Sequence, residues 1–204
     1  MAMNKVVVAG GGVLGTQIGL MCAYTGHDVT FWLRSESSIG RTQPKIDLYS
    51  KAMLDDLAAA KNLIGNPLGA LLYPKGLITK WEGITAEQID ALIEQGKKNM
   101  TDNVHIELDM AKAVAGADIV IESMAEDPDA KIDVYEQMRN LLDEKTILVT
   151  NSSTLLPSMF AKYTGRPETY LSLHFANTIW PSRLSRVPFS QCCLAIGVGS
   201  SGAR

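Results

Sequence analysis

A short β-branched run, Lys5-Val-Val-Val-Ala9, feeds directly into Gly10-Gly11-Gly12-Val13-Leu14-Gly15, and an apolar segment at helical spacing leads away from it as far as Tyr24. Three glycines at this spacing occur by chance in many chains; a strand before and a helix after restrict the meaning. The first glycine allows a tight turn, the second lets the backbone approach a ligand, and the third lets helix and strand pack closely. Backbone N–H groups and the positive end of the helix then face the space above the turn, an arrangement suited to a pyrophosphate. We therefore read Gly10, Gly12, Val13, Leu14 and Gly15 as residues that bind a dinucleotide.

The rest of the chain alternates strand and helix, which calls for a mostly parallel sheet covered on both faces. The first helix stops near Thr25-Gly26. Asp28–Leu33, Val104–Leu108, Asp118–Glu122, Thr146–Thr150 and Tyr170–His174 read as further strands, and Met110–Val114, Asp129–Leu142 and Leu155–Lys162 as helices between them. The fold class is thus α/β: a doubly wound parallel sheet forming a Rossmann-type dinucleotide-binding domain over residues 1–182, with a helical insertion at 35–102. Within that insertion Asp47–Asn62 and Thr85–Met100 have helical composition. The Gly- and Pro-rich stretch between them reads as a loop folding over the ligand, or else as a plain solvated connection.

With 46% hydrophobic residues and a net charge of -3, the chain has the makings of a sizeable core. The mild acidity and the lack of a Lys/Arg run speak against nucleic acid or an anionic membrane as partner. No apolar stretch nears the roughly 20 residues that span a bilayer, so the chain is read as cytoplasmic. Cys22, Cys192 and Cys193 form neither a disulfide framework nor a metal-ligand spacing, so no metal is expected. Cys22 reads as a buried thiol, and His27 and His105 as structural.

The end of the second strand bears on the choice between NAD and NADP. An NAD site usually places Asp or Glu there to accept hydrogen bonds from the ribose 2′-OH. Here the position is Leu33, followed by Arg34 and Ser35. A guanidinium and a hydroxyl suit a 2′-phosphate, which puts NADP ahead of NAD, although Glu36 could still reach the ribose.

Two later motifs carry chemistry: Asn151-Ser152-Ser153 follows one strand, and His174-Phe175-Ala176-Asn177 ends another. A histidine at the carboxyl edge of such a sheet, where ligands gather, can take a proton from an alcohol or return it, because its ordinary pKa lies near neutrality. Together with the glycine turn, these motifs resemble the nucleotide-binding domain of the 3-hydroxyacyl-CoA dehydrogenases, over about Lys5 to Trp180. The resemblance implies hydride transfer between a nicotinamide cofactor and a 3-hydroxyacyl-CoA, interconverting a secondary alcohol and a ketone, with His174 as base and Ser153 hydrogen-bonding the substrate oxygen. Asn151 and Asn177 would sit by the nicotinamide or steady the loop. It also places Glu122, in Val120-Ile-Glu-Ser-Met-Ala-Glu126, beside the nicotinamide ribose. A lysine that the family often presents to the cofactor in this stretch has no certain counterpart, although Lys131 lies close by.

The resemblance fails at the end of the chain. Twelve residues beyond the histidine the family has a Glu that stabilises its protonated form; here that position is Arg186, which would disfavour imidazolium. We read residues 183–204 as a tail that does not match the family, and the family's C-terminal helical domain, the source of its homodimer interface, as missing from this chain. We read this tail as a reading-frame change near codon 182 that leaves activity impaired. Two other readings stand beside it: a non-catalytic dinucleotide-binding or structural protein, resembling the lens crystallins that share the fold, and a dehydrogenase of another hydroxy acid.

Overall fold

The computed structural model describes residues 3–176 and 179–181. The chain runs β1 (Lys5–Ala9), α1 (Val13–Tyr24), β2 (Asp28–Trp32), α2 (Glu36–Ala60), α3 (Gly69–Leu72), α4 (Ala86–Asp102), β3 (Val104–Glu107), α5 (Met110–Val114), β4 (Ile119–Glu122), α6 (Pro128–Met138), β5 (Ile147–Thr150) and β6 (Tyr170–Ser172). The strands form one sheet in the order β3-β2-β1-β4-β5-β6, every neighbouring pair parallel. This is the doubly wound Rossmann order. Strand order reverses between β1 and β4, so a crevice opens there at the carboxyl ends.

Alternation along β1 builds the two layers. Val6 and Val8 pack against α1, Phe31 and the insertion, while Val7 and Ala9 pack against Val134, Tyr135 and Met138 of α6. A strand buried on both faces needs the unbroken apolar run that the sequence shows. Cys22 is buried in the first layer. The α1 helix ends as expected at Gly26, whose φ of +95° suits glycine and whose N–H bonds to the Ala23 carbonyl. Among the described residues no helix is long and apolar enough to cross a membrane, and no cluster of metal-ligating side chains occurs.

Several expected boundaries move. α2 begins at Glu36, eleven residues before Asp47, and runs through Pro44. A proline there forfeits the bond to the Gly40 carbonyl, but Gly40 and Pro44 are both exposed, so water can satisfy it. The stretch between α2 and α4 packs against the core, and none of it lines the cavity above the glycine turn. Its Tyr73, Leu77, Ile78 and Trp81 are buried in the core, and the Tyr24 hydroxyl donates to the Leu77 carbonyl at 2.8 Å. Residues 155–162 form two 3-10 turns, Pro157–Met159 and Ala161–Tyr163, instead of a helix; Pro157 supplies no N–H for one. α6 stops at Met138 rather than Leu142. β6 ends at Ser172, so His174 lies two residues past the strand, although Leu173 N–H still bonds to the Thr150 carbonyl at 2.8 Å.

Candidate functional site

The turn between β1 and α1 is built for a close approach. Gly10 has φ +125°, and a Cβ on it would lie 2.4 Å from the Ser123 carbonyl oxygen, so no other residue fits without moving β4 away. At Gly12 a Cβ would meet nothing within 4 Å: that side of the turn is open space. Gly12 caps α1 without a side-chain hydrogen bond, and the first turn carries no acidic residue. The orphan N–H groups and the positive helix end therefore remain for an anion.

Above this turn lies a cavity of about 520 Å³, a size normal for a small-molecule site. Its lining crosses the sheet from β2 to β6. On the β2 side are Leu33, Arg34 and, from α2, Ser38, Arg41, Thr42 and Lys45; past β4, β5 and β6 come Ser123 to Glu126, Asn151, Ser153 and His174.

The β4–β6 side is held by a set of internal bonds. Asn151 serves as a bracket: its amide oxygen accepts from Phe175 N–H at 2.9 Å, its amide nitrogen donates to Ser123 Oγ at 3.3 Å, and its carbonyl accepts from His174 Nδ1 at 3.3 Å. Because a carbonyl can only accept, Nδ1 is the donor in this contact, which leaves Nε2 as the ring nitrogen not engaged by it. Glu126 grips the neighbouring loop with both oxygens, one accepting from Ser152 Oγ at 2.7 Å and the other from Ser153 N–H at 2.9 Å. Desolvation pushes the Glu126 carboxyl up, but the Ser152 and Ser153 hydrogen bonds and the Lys131 charge outweigh it and hold the group below the ordinary carboxylate range.

Behind this wall lies a buried ionic core. Glu122 is 0% exposed and accepts from Lys131 Nζ at 2.6 Å, Thr150 Oγ1 at 2.6 Å, Met124 N–H at 2.7 Å and Tyr135 Oη at 2.9 Å. Tyr135 and Tyr170 share a hydrogen bond at 2.8 Å. Burial pushes the Tyr170 hydroxyl up to about 12 and the Tyr135 hydroxyl also upward, so both stay protonated and able to donate near neutral pH.

A model of the 3-hydroxyacyl-CoA dehydrogenase NAD-binding domain matches residues 75–187, more than half of the chain. The chain belongs to the 3-hydroxyacyl-CoA dehydrogenase family. Among its relatives in this family, 3-hydroxybutyryl-CoA dehydrogenase of Clostridioides difficile is 31% identical over 183 residues, which is 90% of this chain and 53% of that protein. The mitochondrial hydroxyacyl-coenzyme A dehydrogenase of Rattus norvegicus is 25% identical over 185 residues, 91% of this chain and 50% of the rat protein. A solved diketoreductase, described as acting on dicarbonyl compounds, is 32% identical with a TM-score of 0.60 and shares 88% of this chain and 52% of its own. The chain thus spans about half the length of the relatives it matches.

Against this family frame, the structure gathers most of the expected residues round one cavity: Gly10, Gly12, Val13, Leu14, Gly15, Arg34, Asn151, Ser153 and His174. Ser35 is not part of the lining; it precedes α2, its hydroxyl against those of Ser37 and Ser38. Glu122 is not part of it either, since its carboxylate is spent inside the protein. Asn177 and Arg186, with the tail at 183–204, lie outside the described residues. His27 contacts the Cys22 carbonyl and His105 lies 3.2 Å from Asp28, and neither lines the cavity. Sequence reasoning assigned no role to Glu126. Residues 119–122 are all buried strand, so the carboxylate able to face the crevice is the one past the strand end. It also overlooked Ser38, Arg41 and Lys45, because α2 was started too late for their helical spacing to be recognised.

Proposed function

We propose that this chain carries the cofactor site and the proton-transfer group of an oxidoreductase that interconverts 3-hydroxyacyl-CoA and 3-ketoacyl-CoA. The observation carrying this reading is the His174 ring: its Nδ1–H is committed to the Asn151 carbonyl, and its Nε2 is left for a substrate in the same cavity as the glycine turn. The open face at Gly12 and the unneutralised start of α1 fit a pyrophosphate, and Gly10 to Gly15 would hold it. A bound nicotinamide dinucleotide supplies the hydride acceptor in one direction and the donor in the other.

The protein's own work is proton transfer and positioning. In the oxidative direction Nε2 accepts the hydroxyl proton, and the imidazolium so formed keeps its Nδ1 bond to Asn151. In reverse the same Nε2–H protonates the developing alkoxide. Ser153 Oγ holds the substrate oxygen, and Glu126 fixes the Ser153 backbone. NADP stands ahead of NAD as cofactor, because Leu33 offers no carboxylate to a ribose and Arg34 lies at the cavity edge.

The test is oxidation of NADPH or NADH by acetoacetyl-CoA, followed by nicotinamide absorbance. Turnover that His174→Gln reduces by about 10²–10⁴-fold, the usual range for a general acid-base group, is the expected result. Turnover unaffected by that substitution overturns the reading. The likeness to a diketoreductase supports a second reading, reduction of a dicarbonyl compound carrying no coenzyme A. Activity on a dicarbonyl compound that lacks coenzyme A, without activity on acetoacetyl-CoA, would select it.

A further inference from the structure

Arg41 and Thr42 lie three and four residues after Ser38, and Lys45 four and three residues after them, so all four share one face of α2. That face is anchored to the glycine turn. Thr42 Oγ1 donates to the Gly11 carbonyl at 3.2 Å, and a Cβ on Gly11 would lie 2.0 Å from the same hydroxyl oxygen. Thr42 is buried by this contact, while Ser38, Arg41 and Lys45 border the cavity together with Arg34 from the end of β2.

None of these three cations forms an ion pair among the described residues. Arg41 is held instead by hydroxyls, donating to Ser38 Oγ at 3.0 Å and to Ser37 Oγ at 3.5 Å, and Lys45 Nζ donates to the Arg41 carbonyl. Lys51, further along α2, is paired with Asp55 in the ordinary i,i+4 manner. Glu36, in the first turn of α2, pairs with none of the three. Three unpaired cations at one edge of one cavity, in a chain of net charge -3, leave a strongly positive corner that an anion would neutralise. Leu33 is 3% exposed and has no polar group to offer a ribose.

We propose that Arg34, Arg41, Lys45 and Ser38 form a subsite for a phosphomonoester dianion, the 2′-phosphate of NADP. The proposal rests on the reading above that the cavity takes a nicotinamide dinucleotide, and it adds the residues that choose between the two cofactors. The cluster lies on the β2 side of the glycine turn, across the sheet from His174, Ser153 and Glu126. It is therefore placed for the adenosine half of a dinucleotide whose nicotinamide half lies over β4 to β6. Arg41 supplies a planar fork and Lys45 a point charge, a common pairing for phosphate.

The experiment is fluorescence titration of the full chain with NADPH and with NADH, repeated on Arg41→Ala, Lys45→Ala and the double variant, each with free coenzyme A as competitor. Arg41 is exposed and Lys45 borders the cavity, so the fold tolerates the removal of both side chains. NADPH should bind the parent chain at least about tenfold more tightly than NADH, the gain expected of charge-assisted bonds to phosphate. Arg41→Ala should remove about 10-fold or more of NADPH affinity, and NADH affinity should stay within about 3-fold. Equal affinities in the parent chain, or parallel losses for both cofactors, overturn the subsite and leave the dinucleotide reading standing. Binding of neither cofactor overturns both. Coenzyme A competing with NADPH in the parent chain but not in Arg41→Ala would give the cluster to its 3′-phosphate and overturn the assignment to NADP.

Discussion

Replacing Lys131 by methionine removes the cation of an ion pair that is closed to solvent on both sides. Lys131 is 1% and Glu122 0% exposed, and their charged atoms lie 2.6 Å apart. Methionine keeps nearly the same volume, so the cost is electrostatic and not a cavity. Breaking such a pair from one side typically costs about 3–5 kcal/mol, because the surviving charge stays buried. Glu122 keeps the Met124 N–H and the Tyr135 and Thr150 hydroxyls, which offset part of that, so the lower bound of about 3 kcal/mol applies. With a urea slope of about 2–3 kcal/mol/M for a chain of this size, the midpoint of unfolding should fall by about 1–1.5 M. Adding Glu122→Gln removes the stranded charge, and Tyr135 and Thr150 can turn to accept from the amide. The double variant should then recover about half of the loss, although each change alone destabilises. Urea titrations followed by circular dichroism decide the matter. A shift below about 0.3 M for Lys131→Met, or a double variant no more stable than that single one, would refute the reasoning.

Three further outcomes are expected. Glu126→Ala frees the Ser152 hydroxyl and the Ser153 N–H; steady-state kinetics should show kcat falling about tenfold or more while the far-ultraviolet spectrum is unchanged, since loss of positioning commonly costs this much. Gly10→Ala forces a side chain into φ +125° and against the Ser123 carbonyl; thermal melts should show more than about 1 kcal/mol of destabilisation, and dinucleotide titration a loss of binding. Asp118 accepts from Asn4 and Lys5 N–H and from Lys145, and these bonds lower its carboxyl to about 2. A depressed folded-state value stabilises above the unfolded value of about 3.9, and this stabilisation is lost as pH falls from there toward 2. Acid titration of Asp118→Asn should show a shallower loss of stability across that window than the parent chain.

What the sequence revealed follows a physical divide. Buried parallel strands are continuous apolar runs bounded by turn residues, so Lys5–Ala9 and the Ile119-Val120-Ile121 core were legible, and the glycine turn fixed the first βαβ unit. Helix boundaries were less so. Helical composition is plain only from Asp47, yet α2 starts at Glu36 and carries Pro44 on an exposed face where water meets the lost bond. The late start hid the Ser38-Arg41-Lys45 stripe; separately, the Gly- and Pro-rich connection packs its Tyr73, Leu77, Ile78 and Trp81 into the core, which its turn residues do not announce. At the site, His174, Ser153 and Asn151 were recognisable because both motifs follow strand ends. Glu122 was misplaced because residue type alone does not tell a carboxylate sealed behind the sheet from one that faces the crevice; only the four donors around it do. The link between Glu126 and the Ser152–Ser153 loop spans separate strand ends, and no local pattern announces it.

The central claim is that His174, oriented by the Asn151 carbonyl, exchanges a proton with a substrate over the glycine turn. The most direct measurement is the pH dependence of NADPH oxidation by acetoacetyl-CoA in the parent chain and in His174→Gln. The account predicts that the parent rate depends on a group that must be protonated, and that His174→Gln loses both the rate and that dependence while binding the dinucleotide as tightly as before. A variant that keeps the parent's rate and pH profile would contradict it.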